Sequence, residues 1–308
     1  MPEPAGSLTG TQHEIAAGDY RATITELGAN LRQLRYRDEP LIREYDPDDL
    51  PPAGAGELLV PWPNRIDHGR YAFGGQEYQL DLSEPANGNA IHGLTRWATW
   101  GLVAAADNRV ELGYRLLGRP GYPFRLELRA AYQVTGDGLE VTISAHNAGR
   151  RPAPYGTGSH PYLRPADGLV DQWRLRLPAA QWLPADSRGI PSAGPQDVAG
   201  TEYDFRAGRQ IGATSLDHAL TGLARDTDGR AWATLTSDHA EVSLWAGPGY
   251  EWLQVFTGDP LGQDMRRLAL AIEPMTCPPN AFVTGTNLIT LAPGEAATHR
   301  WGVQASRS

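Results

Sequence analysis

Residues 132–149 read YQVTGDGLEVTISAHNAG, two stretches in which apolar and polar side chains alternate around Gly136, Asp137 and Gly138. Successive side chains of a strand point to opposite faces, so a period of two predicts an antiparallel pair with one buried face, turned by the glycines. The same alternation extends outward in both directions. Before it come Tyr20, Ala22 and Ile24, then Val110, Leu112 and Tyr114, then Leu126 and Leu128. After it come AWATLTS (231–237), EVSLWAG (241–247) and EWLQVFTG (251–258). Helical spacing of comparable length is absent, which leaves an all-β fold, a large antiparallel β-sandwich with few short helices.

The connections can be read in the same way. Tyr71 and Phe73, then Gly74 and Gly75, then Tyr78 and Leu80 spell a hairpin. NLITLAPGEAATHRWGVQ (287–304) reads as a terminal strand pair, whereas Asp46 to Gly56 and Gln181 to Gln210 read as loops. Pro61 and Pro63 bracket Trp62, which predicts an exposed, ordered loop carrying Asn64 and Arg65. The 35 glycines and 25 prolines are scattered along the chain and no repeat period emerges, so residues 1–308 are expected to form one domain.

Composition removes several classes of function. A formal net charge of −9 argues against a nucleic-acid partner, because phosphate binding needs a basic face. All 27 basic residues are arginine, which removes lysine Schiff bases and the phosphate-loop lysine. Cys277 is the one cysteine, so no intrachain disulfide can form and a reducing compartment is the simplest reading. MPEPAGSLTG (1–10) has neither a basic flank nor an apolar core, and no apolar run is long enough to span a bilayer. A cytoplasmic protein without a membrane partner is expected, as a monomer or a homodimer.

Chemistry is carried by a few polar residues beside glycine or proline. In AIEPMTCPPNAF (271–282), the apolar run Leu268 to Ile272 reads as a buried strand that delivers Glu273 just before Pro274, Pro278 and Pro279 end it. Burial raises a carboxyl pKa, so such a glutamate is either ion-paired or a proton acceptor near neutrality. Four more positions are expected on loops: Arg65, His92, His160 and Asp217. Each has a plain alternative, namely a surface ion pair for Arg65, a satisfied core imidazole for either histidine and a turn cap for Asp217. The histidines lack the short pairwise spacing of a metal motif, so no metal and no cofactor is expected. Ser159 precedes His160 without a nucleophile elbow, and Cys277 reads as a packed residue.

One carboxylate and one or two histidines suit the opening and closing of a sugar hemiacetal. A base takes the anomeric hydroxyl proton while an acid gives one to the ring oxygen. Because those oxygens share one carbon, the two groups are expected to face each other across a single pocket. Trp62, Trp97 and Trp100 offer apolar faces on which a sugar ring could stack. In order along the chain, PWPNRIDHGRYAF (61–73), AIHGL (90–94), GSHPYL (158–163), LDHAL (216–220) and AIEPMTCPPNAF resemble the aldose 1-epimerase, or galactose mutarotase-like, family. The resemblance runs from about Ile24 to the C-terminus.

That resemblance implies a supersandwich fold and a cofactor-independent isomerase acting on a sugar. By it Glu273 matches the general base at the anomeric hydroxyl, His160 the general acid at the ring oxygen and His92 a second histidine near that oxygen. Arg65, Asp217 and Asn64 match substrate-binding positions. The chain departs from the well-studied galactose mutarotases at Gly93-Leu94, where they carry a double glycine. It departs again at Tyr162-Leu163-Arg164, where they carry an aromatic residue and asparagine. Both departures leave the sugar open. Arg164 beside His160 motivates an alternative anionic substrate, phosphorylated or sulfonated, and a non-catalytic sugar-binding module is the rival from another class.

Overall fold

The computed structural model describes residues 6–165 and 167–307. The reading of the first ten residues therefore rests in part on residues outside the described range. Antiparallel strands dominate: a nine-stranded sheet, an eight-stranded sheet, a four-stranded sheet of Gln12–Ala17, Tyr20–Thr25, Leu31–Tyr36 and Glu39–Pro40, and three smaller pairs. This is the expected galactose mutarotase-like sandwich. The decisive hairpin is present as Leu126–Thr135 against Gly138–Asn147, with Tyr132 opposite Val141 and Thr135 opposite Gly138. Its alternation is borne out residue by residue, since Leu126, Leu128, Ala130, Tyr132 and Val134 are buried. They join Ile24, Leu31, Val141, Leu175, Leu253, Ile272 and Trp301 in one apolar cluster between the layers. Burying such a set supplies the main drive for folding.

Several local expectations are corrected. The C-terminal segment is not a strand pair: Ile289–Leu291 pairs with Ala153–Tyr155, while Ala296–Arg307 lies between Gly138–Asn147 and Ala240–Ala246. Short strands at Ala179–Leu183, Gln196–Asp197 and Arg209–Gln210 interrupt the long loop expected there. Trp62 and Asn64 are buried, not exposed. Prolines exclude a regular ladder there but not packing, and the Trp62 ring meets Phe282 edge-on at 5.5 Å.

The strand bearing Glu273 spans Leu270–Met275 and runs through Pro274 instead of ending before it. Trp252–Phe256 pairs along one edge, with Gln254 opposite Glu273 and Leu253 opposite Pro274. Along the other edge the partner is interrupted. Ile272 N–H donates to Pro161 and Thr276 N–H to Thr157, so the missing N–H of Pro274 falls where the neighbouring chain detours through His160. This break in the ladder brings His160 beside Glu273.

Candidate active site

A cavity of about 830 Å³ opens over this break, and Asn64, Arg65, His92, His160, Asp217 and Glu273 all line it. The volume is within the range of small-molecule sites. Two of the four positions expected on loops are instead on strands: Arg65 starts Arg65–Asp67 and Asp217 starts Asp217–Leu223, while Glu273 lies inside its strand, Leu270–Met275. His160 follows Gly158–Ser159 and His92 follows Asn89–Ile91. Strands hold a side chain in one direction more firmly than loops, which suits a site that needs fixed geometry.

His160 and Glu273 do not face each other across the cavity. They are neighbours, with Nε2 of His160 3.3 Å from Oε1 of Glu273. The reason is the break in the ladder at Pro274, where the neighbouring chain carries the imidazole against the carboxylate instead of to the far wall. His160 is 5% exposed and Glu273 2%, and among the described residues neither His160 Nδ1 nor Glu273 Oε2 has a hydrogen-bond partner. The His160 ring stacks on Tyr162 at 4.9 Å and meets His92 edge-on at 5.4 Å.

Backbone geometry fixes the second histidine. His92 has φ +61, sparsely populated for a residue with a side chain, and its N–H donates to the Asn64 carbonyl at 3.0 Å. Gly93 follows with φ +74, and a Cβ there would lie 2.1 Å from the Val60 carbonyl oxygen, so only glycine fits.

On another part of the wall, Arg65 donates to Glu84 from Nε at 3.0 Å and places NH1 4.0 Å from Asp217. Gln254 donates from its amide to Asp217 Oδ1 at 2.6 Å, tying Asp217 to the strand that pairs with Glu273. Sequence reasoning did not single out Glu84, Gln254 or Glu57, another buried cavity carboxylate. Of the three tryptophans, only Trp97 lines the cavity, 49% exposed, while Trp62 and Trp100 belong to the core. Arg164 is ion-paired with Asp167 and is not among the lining residues, so its expected place beside the substrate is corrected. Cys277 is buried away from the cavity, and burial pushes its thiol up to about 12.

The electrostatics follow from burial. Desolvation holds the Glu273 carboxyl well above its ordinary range; the charge of Asp217 adds to this and that of Arg65 opposes it. Desolvation pushes His160 down to about 4, in the same direction as the nearby guanidinium charges of Arg96 and Arg65. His92 lies well below its ordinary value, first through burial, then through the neighbouring His160 imidazole and the positive charges of Arg96 and Arg65. Both shifts run toward the uncharged forms, of the Glu273 carboxyl and of the His160 imidazole. Among the described residues, no group of three or more His, Cys, Asp or Glu side chains is arranged to hold a metal ion, and no helix is long and apolar enough to cross a membrane.

Residues 11–304 match the family described as aldose 1-epimerase. The chain is 37% identical over 289 residues to the uncharacterized protein YihR of Escherichia coli (strain K12), covering 93% of this chain and 91% of that one. It is 28% identical over 225 residues to the aldose 1-epimerase of the same organism, covering 67% of this chain and 64% of the relative. In fold it is similar to the crystal structure of a GalM/aldose epimerase homologue from C. elegans. That similarity has a TM-score of 0.86 and 21% identity, covering 96% of this chain and 99% of the other.

Proposed function

Because the chain belongs to the aldose 1-epimerase family of isomerases, we propose that it interconverts the α and β anomers of a hexose or related aldose in this cavity. The observation that carries the reading is the 3.3 Å contact between two buried, titratable groups opening onto a sugar-sized space. A merely structural pair would not need that space.

In the proposed cycle, Glu273 accepts the proton of O1 while His160 donates one to O5. The C1–O5 bond breaks, its electron pair goes to O5, and the C1–O1 bond becomes a carbonyl. Rotation about C1–C2 turns the other carbonyl face toward O5. Reclosure returns one proton to O1 and the other to His160, so the enzyme ends as it began. The pair needs one proton in total to serve both oxygens. The cycle starts with that proton on the imidazole, and the charge of Arg65 favours the carboxylate form of Glu273 that it requires. Each proton transfer is worth roughly a hundred- to ten-thousand-fold, which suffices for a reaction that is not slow unaided.

His92 supports the ring oxygen from beside His160, and Asn64, Arg65 and Asp217 hold hydroxyls. The hydrogen bond from Gln254 supports the placing of Asp217. No second reading is favoured, because the arginine that motivated an anionic substrate is committed to Asp167 outside the cavity. Polarimetry on freshly dissolved pure anomers tests the proposal across glucose, galactose, xylose and glucose 6-phosphate. Acceleration of at least one neutral sugar is expected, and equilibration at the buffer rate for all of them would refute it.

A further inference from the structure

Among the buried carboxylates of the cavity, Glu57 plays no part in the cycle above. It is 0% exposed yet lines the cavity. Its Oε2 is 3.4 Å from Arg96 NH1, long for a charge-assisted bond, and its Oε1 has no partner among the described residues. A buried acceptor left without a donor is costly, so such atoms in a cavity wall mark a place where a ligand supplies the missing group. Arg96 is similarly uncommitted. Its one hydrogen bond is the long one to Glu57, and its guanidinium lies over the Trp97 ring at 5.2 Å. Its other N–H groups have no acceptor among the described residues.

Gly54 fixes where this pair lies relative to the chemistry. With φ +80, it carries a position whose Cβ would sit 3.3 Å from His160 Cδ2, 3.6 Å from His160 Nε2 and 3.4 Å from Glu57 Oε2. The glycine thus keeps a small space open between imidazole and carboxylate. Glu273 lies at His160 Nε2, while Glu57 Oε2 and the Cδ2 edge of His160 border the same Gly54 position; two carboxylates around one imidazole parallel the order of groups in a pyranose. Its ring oxygen is flanked on one side by C1 with O1 and on the other by C5 with its exocyclic carbon.

We propose that Glu57 and Arg96 form a second recognition point, which takes the hydroxyl on the exocyclic carbon of an aldohexose and so discriminates for sugars that carry it. The inference rests on the reading that His160 serves the ring oxygen. A hydroxyl is the group that satisfies both partners at once, since it donates to the Glu57 carboxylate and accepts from the Arg96 guanidinium. An anionic substituent there would meet the carboxylate, so the site selects a neutral sugar. Trp97, against Arg96, lines the same cavity with its ring half exposed.

The test compares kcat/KM for anomerisation within two sugar pairs that differ only in that hydroxyl: D-glucose with 6-deoxy-D-glucose, and D-galactose with D-fucose. Wild type is expected to prefer the hydroxylated member about tenfold or more in the pair whose ring it accepts, as for a hydrogen bond to a charged group. Glu57→Gln and, separately, Arg96→Gln are expected to bring that ratio toward one. Equal rates within each pair for wild type, or a ratio that survives both substitutions, overturns the proposal even if all rates fall together. The wild-type ratio needs no variant, so a Glu57→Gln protein that fails to fold leaves the test intact. Failure of wild type to anomerise any of the four sugars overturns the functional reading itself, a result distinct from a lost preference.

Discussion

Replacing Glu273 by glutamine separates what the carboxyl does for catalysis from what it does to stability. Glutamine keeps the shape but cannot exchange a proton, so Glu273→Gln removes the proposed base and anomerisation falls about a hundred- to ten-thousand-fold. Stability moves the other way. The Glu273 carboxyl is raised well above its ordinary value of 4.5, chiefly by burial. Its contribution is fully present below pH 4.5, where folded and unfolded chains both hold the proton. Above that, the unfolded chain releases it first, and wild type loses about 1.4 kcal/mol per pH unit until the raised folded pKa is passed. The variant has no such loss at this position. Urea unfolding of both proteins at pH 5, 6, 7 and 8 therefore shows a stability difference that grows in favour of Glu273→Gln as pH rises. Parallel curves would refute the claim that burial raises the carboxyl pKa. A folded variant with full activity would refute its role as base.

Three further outcomes follow from the same geometry. Because the pair needs one proton, its acidic limit lies where His160 takes a second, near 4, so the pH profile of kcat/KM stays high well below 6.5; half-loss at 6.5 contradicts this. Gly54→Ala places a methyl group against His160 and Glu57 at positive φ, so a loss of about 1–2 kcal/mol in unfolding free energy and a lower anomerisation rate are expected, and an unchanged protein speaks against the crowding. His299, in the core beside Tyr155 and Tyr250, is pushed down to about 4 by burial. Its contribution is complete above 6.5 and up to about 3 kcal/mol is lost as pH falls toward 4; His299→Gln flattens that part of the urea-measured stability curve, and an unaltered slope refutes it.

The sheet was legible because alternation is repeated on every strand with one wet face, as in Leu126–Thr135. It failed where both faces are covered. In Trp252–Phe256 the first four residues are all buried, so parity did not mark Gln254 as a cavity residue. The prolines misled twice, at Trp62 and at Pro274, because the rule against proline in a ladder concerns a missing N–H and not burial. At Pro274 no partner needs that N–H. The six expected site residues all reach one cavity because five motifs in order specify a constellation that no single one does. Glu57 and Glu84 escaped notice since a lone carboxylate beside apolar residues or a proline has no spacing to read, and only the folded chain shows what it touches.

The central claim is that the His160 and Glu273 side chains pass protons to and from a bound sugar. Two-dimensional exchange NMR on an equilibrated aldose reads this directly, through cross-peaks between the α and β anomeric protons. The account predicts strong cross-peaks with wild type that disappear with folded His160→Gln and with folded Glu273→Gln. Cross-peaks of wild-type strength from the folded double variant would contradict it.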